Sequence, residues 1–309
     1  MRAAVLTEYG NEPEVAEVDR PGLPADSVMV EVHAAAINPI DWVVMDGNLK
    51  DMLPYELPWI VGYDVSGVVV EVGSGSDVAR FSVGDAVFAR ADNMQAGTMA
   101  EYSAIKGGDL ALKPANISHA EAAGIPLAGL TAWQALFDKG GLQPGQRVLI
   151  HAGSGGVGTL AIQLAKHAGA WVAATASIGN RALVESMGAD QFVDYASQRF
   201  EEVVDPCDVV FDMLGGETLE RSFDVVKPGG TVVSIKGDAP EGLPEKRNVE
   251  FHQFFMTPDG RQLAAIAALI VDGAVRPVLD STYPLAKVAA AYEHGRSGNA
   301  HGKIAVSIR

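Results

Sequence analysis

The chain has 309 residues, of which 48% are hydrophobic and 20% charged, and it carries a formal charge of −16. That length and composition suit a folded globular protein with two domains, each able to bury a real core, and exclude a disordered chain. The acidic excess argues against nucleic acid and against an anionic membrane as partners, because both need a basic face.

The opening MRAAVLTEYG has no apolar signal core, and no later apolar run reaches the length of a membrane span. The first third reads as all-β. VMVEVHAAAI (28–37), VSGVVVEVG (65–73) and DAVFAR (85–90) are rich in β-branched residues and bounded by Gly, Pro and Asp. One helical turn is expected across 39–47. At Ser118 the rhythm changes, and Ser118 with Glu121 forms an S-x-x-E capping box in front of two helical pieces. Strands at 147–153, 171–177, 191–195, 208–214, 231–237 and 249–255 then alternate with helices at 156–169, 180–188 and between the later strands. Such alternation means βαβ units and a parallel sheet. Cys207, the single cysteine, excludes an intrachain disulfide and a cysteine-clustered zinc site, and it points to a reducing compartment, the cytoplasm. An apolar-periodic helix is expected at 258–273, followed by short strands and one helix to the C-terminus.

The strand 148–150 feeds HAGSGGVG, where Gly153, Ser154, Gly155, Gly156, Val157 and Gly158 spell G-x-G-x-x-G, and apolar residues follow at helical spacing. The glycines allow a tight turn and close approach of backbone to a pyrophosphate, whose charge sits at the helix N-terminus. About 20 residues further on, an NAD-binding chain places an acid on the adenosine ribose. Here no acid stands between Thr159 and Val184, and the expected position holds Ser177, followed by Asn180 and Arg181. Hydroxyl, amide and guanidinium donors suit a 2′-phosphate that a carboxylate would repel. NADP(H) is therefore expected, with Ser177, Asn180 and Arg181 nearest the phosphate. The alternative for Arg181 is a solvated residue on the first turn of a helix.

Several stretches together resemble one known family over nearly the whole chain: INPIDW (37–42), VGYDVSGVV (61–69), PLAGLTAWQAL (126–136), the glycine loop, GADQFVDY (188–195), VKPGGTVVSI (226–235) and HGKIAVSI (301–308). The chain resembles a medium-chain dehydrogenase/reductase, in the zinc-independent quinone oxidoreductase-like branch. The resemblance implies an α/β chain with a GroES-like β-barrel catalytic domain from residues 1–122 and 258–309, and a Rossmann doubly wound parallel sheet inserted at 123–257. It also implies an active site in the interdomain cleft, and a homodimer joined through the edge of the Rossmann sheet.

Zinc-dependent members place a Cys in the first lobe and a Gly-His-Glu triplet in the second. The corresponding positions here hold Asn38 and the triplet Gly62, Tyr63 and Asp64, so a tetrahedral N/S metal site is not expected. Without a metal to stabilise an alkoxide, reduction of an already polarised acceptor remains, either a quinone or a C=C conjugated to a carbonyl. Asn38 matches an asparagine lining the substrate cleft in the family, and it could bond the acceptor carbonyl or cap the turn at Pro39. Asp41 could act as an acid or cap the following helix. Tyr63 could donate a proton or serve as core with a tied hydroxyl. For the cofactor, the resemblance adds Thr131 at the nicotinamide end. Leu214, Gly215 and Ile235 fall at strand carboxyl ends, where ligands bind, and Tyr195 falls near the adenine. Lys303 resembles a recurrent C-terminal Gly-Lys. The aromatic-rich EFHQFFMTP (250–258) borders the cleft or forms a dimer surface. A dedicated enoyl or enone reductase of a biosynthetic pathway, and a non-catalytic NADPH-binding redox sensor, share this sequence pattern.

Overall fold

Both ends of the chain build one unit and the middle builds another. The computed structural model describes residues 1–92 and 97–309. The first unit is Met1–Leu130 with Pro258–Gly273 and Pro277–Arg309, and the second is Thr131–Thr257 with Ala274–Arg276.

The chain begins with β1 (Arg2–Leu6), β2 (Glu14–Glu17) and β3 (Ser27–Ala36), then α1 (Pro39–Met45), β4 (Trp59–Ile60), β5 (Asp64–Val72), β6 (Ala86–Arg90), β7 (Tyr102–Lys106) and β8 (Leu110–Leu112). Helix α2 (His119–Ala123) opens on the Ser118–Glu121 capping box, and α3 (Pro126–Trp133) follows and runs on as a π-helical turn, Gln134–Lys139. The second unit continues with β9 (Arg147–Ile150), α4 (Gly156–His167), β10 (Trp171–Ala176), α5 (Arg181–Ser186), β11 (Gln191–Asp194) and α6 (Phe200–Val203). It closes with β12 (Cys207–Asp212), α7 (Gly216–Ser222), β13 (Val226–Ser234), α8 (Leu243–Arg247) and β14 (Glu250–Gln253). The chain then returns to the first unit through α9 (Gly260–Val271), β15 (Leu279–Pro284), α10 (Val288–Arg296) and β16 (Lys303–Ser307).

In the first unit the main sheet runs β15-β16-β3-β5-β6-β8, with β7 also paired to β3, and a smaller sheet runs β2-β1-β4. Apart from the parallel pair β15–β16, the pairings are antiparallel. Val30, Val32, Val65, Val69, Val87, Ile105 and Val306 fill the core, as the alternation in the sequence requires. The sheet closes tightly at Gly67, where a Cβ would lie 2.1 Å from the Glu31 carbonyl oxygen. Only glycine permits that approach of β5 to β3.

In the second unit the order is β11-β10-β9-β12-β13-β14, every neighbour parallel. Numbered from β9, that is 3-2-1-4-5-6, the doubly wound dinucleotide-binding order, whose switch point lies between β9 and β12. Strand β13 starts at Val226 rather than 231, because the KPGG segment reads as a turn in sequence yet continues the strand through a register shift opposite Cys207 and Val209. Beneath the sheet's carboxyl edge, His151 is fully buried. Its ring contacts Thr175 Oγ1 at 3.2 Å and Ser222 Oγ at 3.0 Å, and burial pushes it down to about 3, so it stays neutral. Among the described residues no helix is long and apolar enough to cross a membrane.

Candidate active site

The cofactor candidates of the second unit gather on one edge. The glycine loop follows β9, Ser177 follows β10, Tyr195 follows β11, Leu214 and Gly215 follow β12, and Ile235 follows β13. All are carboxyl ends of parallel strands, where the open crevice of such a sheet binds ligands. Two glycines of the loop have no room for a side chain. A Cβ on Gly158 would stand 2.2 Å from the Ala152 carbonyl oxygen, and one on Gly153 would press Ala174 at 3.0 Å. Ala152 itself takes a left-handed φ of 50° to make the turn. Helix α4 then starts with Gly155 as N-cap and no capping side chain, so the donors of its first turn face an incoming anion.

The amide of Asn180 bridges the two loops, donating to Ser154 Oγ at 3.1 Å and Ser177 Oγ at 3.0 Å. Arg181 is exposed and pairs with Glu185 across one turn at 2.8 Å. An exposed pair of this kind is worth little, so the guanidinium is available to a phosphate. Asp212, fully buried, accepts from the Leu214 and Gly215 N–H groups and from Ser234 Oγ at 2.8 Å, fixing the loop after β12. Gly215 sits at φ 72°, with the Lys236 carbonyl oxygen where a Cβ would go. Tyr195 and Leu214 are exposed, whereas Thr131 in α3 is buried. Two hydroxyls, an amide and a guanidinium without an acidic neighbour fit a dinucleotide bearing a 2′-phosphate.

Asn38, Asp41 and Tyr63 lie in the first unit and are 1%, 0% and 2% exposed. The structure brings the first two into one buried polar cluster with Asp64, Tyr292 and Lys303. The Lys303 ammonium donates to the Ile37 carbonyl at 2.8 Å and to Asn38 Oδ1, and it lies 3.5 Å from Asp64 Oδ2. Asn38 Nδ2 donates to Asp64 Oδ2 at 2.9 Å, and Asp64 Oδ1 accepts the Leu127 N–H at 2.8 Å, which ties down the first turn of α3. Burial pushes the Asp64 carboxyl up and the Lys303 ammonium down, while each charge opposes the other's shift. Asn38 thus has both ends of its amide engaged inside the protein.

Asp41 occupies the third position of α1, where its Oδ2 accepts the Asn38 N–H at 2.9 Å and the Tyr292 hydroxyl at 3.3 Å. Its other oxygen is buried without a partner, and burial pushes the carboxyl up to about 7. It is therefore a helix-start residue and a neutralised acid at once. Tyr63 carries its hydroxyl 2.8 Å from that of Tyr55. Sequence reasoning passed over Tyr55, Tyr292 and the role of Lys303, since none stands in a motif whose chemistry is local. Among the described residues, no group of three or more His, Cys, Asp or Glu side chains is placed to hold a metal ion.

Comparison with known proteins places this geometry. Residues 24–115 match the alcohol dehydrogenase GroES-like domain, and residues 187–306 match a model described as zinc-binding dehydrogenase. The chain is 38% identical over 320 residues to a 2-methylene-furan-3-one reductase of Solanum lycopersicum, covering 99% of this chain and 79% of that protein. It is also 38% identical, with the same coverage, to an NADPH-dependent alkenal/one oxidoreductase of Arabidopsis thaliana. Among solved structures, the quinone oxidoreductase from Coxiella burnetii superposes with a TM-score of 0.92 at 31% identity, covering 100% of this chain and 99% of that one.

Two outcomes follow from the geometry. Replacing Ser177 by Asp puts a carboxylate at the 2′-phosphate position, and the dissociation constant for NADPH should rise about 100-fold, that for NADH much less. R181A should raise the NADPH value about tenfold; equal changes for both cofactors, measured by fluorescence titration, would contradict the assignment. For Asp41, the folded chain holds a proton up to about pH 7 that the unfolded chain releases near its ordinary value of 3.8. Its stabilising effect is complete at acid pH and lost as pH rises through 7. The melting temperature of D41N relative to the parent should therefore improve between pH 5 and pH 8, and an unchanged difference would show an ordinary carboxylate.

Proposed function

From the premise that the chain belongs to the medium-chain dehydrogenase/reductase superfamily, in its quinone oxidoreductase-like branch, we propose that it is an NADPH-dependent reductase of quinones or of the C=C bond of α,β-unsaturated carbonyls, working without a metal. The observation that carries the cofactor is the acid-free set of Ser154, Ser177, Asn180 and Arg181 at the carboxyl edge of a 3-2-1-4-5-6 sheet. The relatives named for reduction of alkenals, enones and quinones support the acceptor class. Asn38 and Tyr63 at the first-lobe and second-lobe positions, in place of cysteine and histidine, support the metal-free reading.

NADPH supplies a hydride when bound. The chain's own contribution is to hold and orient. The glycine loop and α4 take the pyrophosphate, Asn180 keeps the two phosphate-side loops in register, and Asp212 fixes the loop that includes Leu214 and Gly215. The hydride adds to the electrophilic carbon of the acceptor, charge collects on its carbonyl oxygen, and a proton from water completes the reduction. We also propose a cytoplasmic homodimer paired along β14, an edge strand that ends near the exposed Phe255.

Steady oxidation of NADPH in the presence of 9,10-phenanthrenequinone or 2-cyclohexen-1-one is the expected result, with NADH a much poorer donor. Tight NADPH binding with no turnover across a broad acceptor panel would favour a redox sensor instead. Light scattering should give twice the chain mass of 32.4 kDa, and a proline at His252 in the edge strand should return the monomer; a parent protein of single-chain mass would overturn the dimer.

A further inference from the structure

Reduction of a carbonyl acceptor ends with negative charge on oxygen, and a donor aimed at that oxygen lowers the barrier; the inference here rests on the reductase reading. Asn38, Asp41 and Tyr63 are closed off by burial. Tyr63, however, passes its hydrogen bonding outward to a side chain that is half-buried, Tyr55, with 2.8 Å between the two hydroxyl oxygens.

Tyr55 is held firmly for a loop residue. Its ring stacks on Trp59, with centroids 4.2 Å apart and planes 22° from parallel, and Trp59 in turn meets Tyr63 at 5.9 Å. The Tyr9 hydroxyl donates to the Tyr55 carbonyl at 3.3 Å. Arg90 lays its guanidinium 4.9 Å over the Tyr63 ring, which places a cation beside the pair. Burial raises both phenols, Tyr63 much the more, so both keep their protons at neutral pH. With the deeper Tyr63 donating to the Tyr55 oxygen, the Tyr55 O–H is free to donate away from the pair. A hydroxyl that accepts one hydrogen bond donates the next more strongly.

We propose that Tyr55 is a catalytic residue whose O–H binds and polarises the carbonyl oxygen of the acceptor, with Tyr63 the positioning residue behind it. In an enone, hydride adds to the β-carbon, the C=C electron pair shifts toward the carbonyl, and the resulting enolate oxygen is held by the Tyr55 O–H. The α-carbon then takes its proton from water, NADPH having lost two electrons and the acceptor having gained them. In a quinone the same donor faces the oxygen that becomes phenolate.

Y55F, Y63F and the double variant test this, with 2-cyclohexen-1-one as substrate and the saturated cyclohexanone as a ligand that cannot be reduced. Y55F should lower kcat/KM for the enone about 10- to 100-fold. Its melting temperature and its dissociation constant for NADPH should match the parent, and the isotope effect from 4-deuterated NADPH should grow. Y63F should lose less, and the double variant no more than Y55F, because Tyr63 acts through Tyr55. Cyclohexanone binding, read by ligand-observed NMR, should weaken about tenfold in Y55F. Parent-like turnover and ketone binding in Y55F would overturn the inference, as would losses that only track the melting temperature. A parent protein that binds the ketone through Tyr55 but oxidises no NADPH would defeat the reductase reading alone, and one that does not bind it would defeat both.

Discussion

The interior of the first unit depends on one buried ammonium. Lys303, at the start of β16, has the Ile37 carbonyl, the Asn38 amide oxygen and the Asp64 carboxylate around its Nζ. Through Asn38 it fixes the turn into α1, and through Asp64 it fixes the first turn of α3. Four stretches far apart in sequence are thus held at a single point. A charge in that setting is costly unless fully partnered, and removing one side of such a pair typically costs about 3–5 kcal/mol. The apolar walls around it, Val65, Tyr292 and Ile304 among them, are what make the pairing both expensive and exclusive.

Around this point the protein keeps its titratable groups in forms that do not compete for charge. Asp41 is pushed toward its neutral form by the same burial that the ammonium only partly offsets. In the second unit, His151 is kept neutral between two hydroxyls under the sheet's carboxyl edge. The strong charges near the phosphate-side loops are then the exposed guanidinium of Arg181 and its partner Glu185. A cofactor phosphate meets donors there, while the buried groups of the first unit serve to hold shape. The positions that carry cysteine and histidine in metal-dependent members hold Asn38 and Tyr63. One is committed to Lys303 and Asp64, and the other to a second tyrosine.

Much of this was legible in the sequence where the signal is local. The glycine loop, the alternation of strands and helices, and the Ser118 capping box each depend on residues close together in the chain, and α4, β9 to β12 and α2 lie within a few residues of where periodicity puts them. The strand β13 shows the limit: KPGG has turn chemistry, yet pairing with β12 draws it into the sheet. The cofactor edge was readable for the same reason, since its residues follow successive strands. The cluster around Lys303 was not. It joins residues 37, 38, 64, 127 and 303, and no spacing rule links them. Likewise the Tyr55–Tyr63 pair depends on how a loop of irregular sequence lays one phenol against another.

The central claim is hydride transfer from NADPH to a carbonyl acceptor by a chain that needs no metal. It is tested most directly by mixing protein stripped by a chelator, shown zinc-free by elemental analysis, with 4-deuterated NADPH and one equivalent of 2-cyclohexen-1-one. The account predicts one NADPH consumed per enone reduced, with the deuterium found on the β-carbon of the cyclohexanone product. Enone left unreduced by the stripped protein and reduced once zinc is restored, or deuterium at the carbinol carbon of an allylic alcohol, would contradict it.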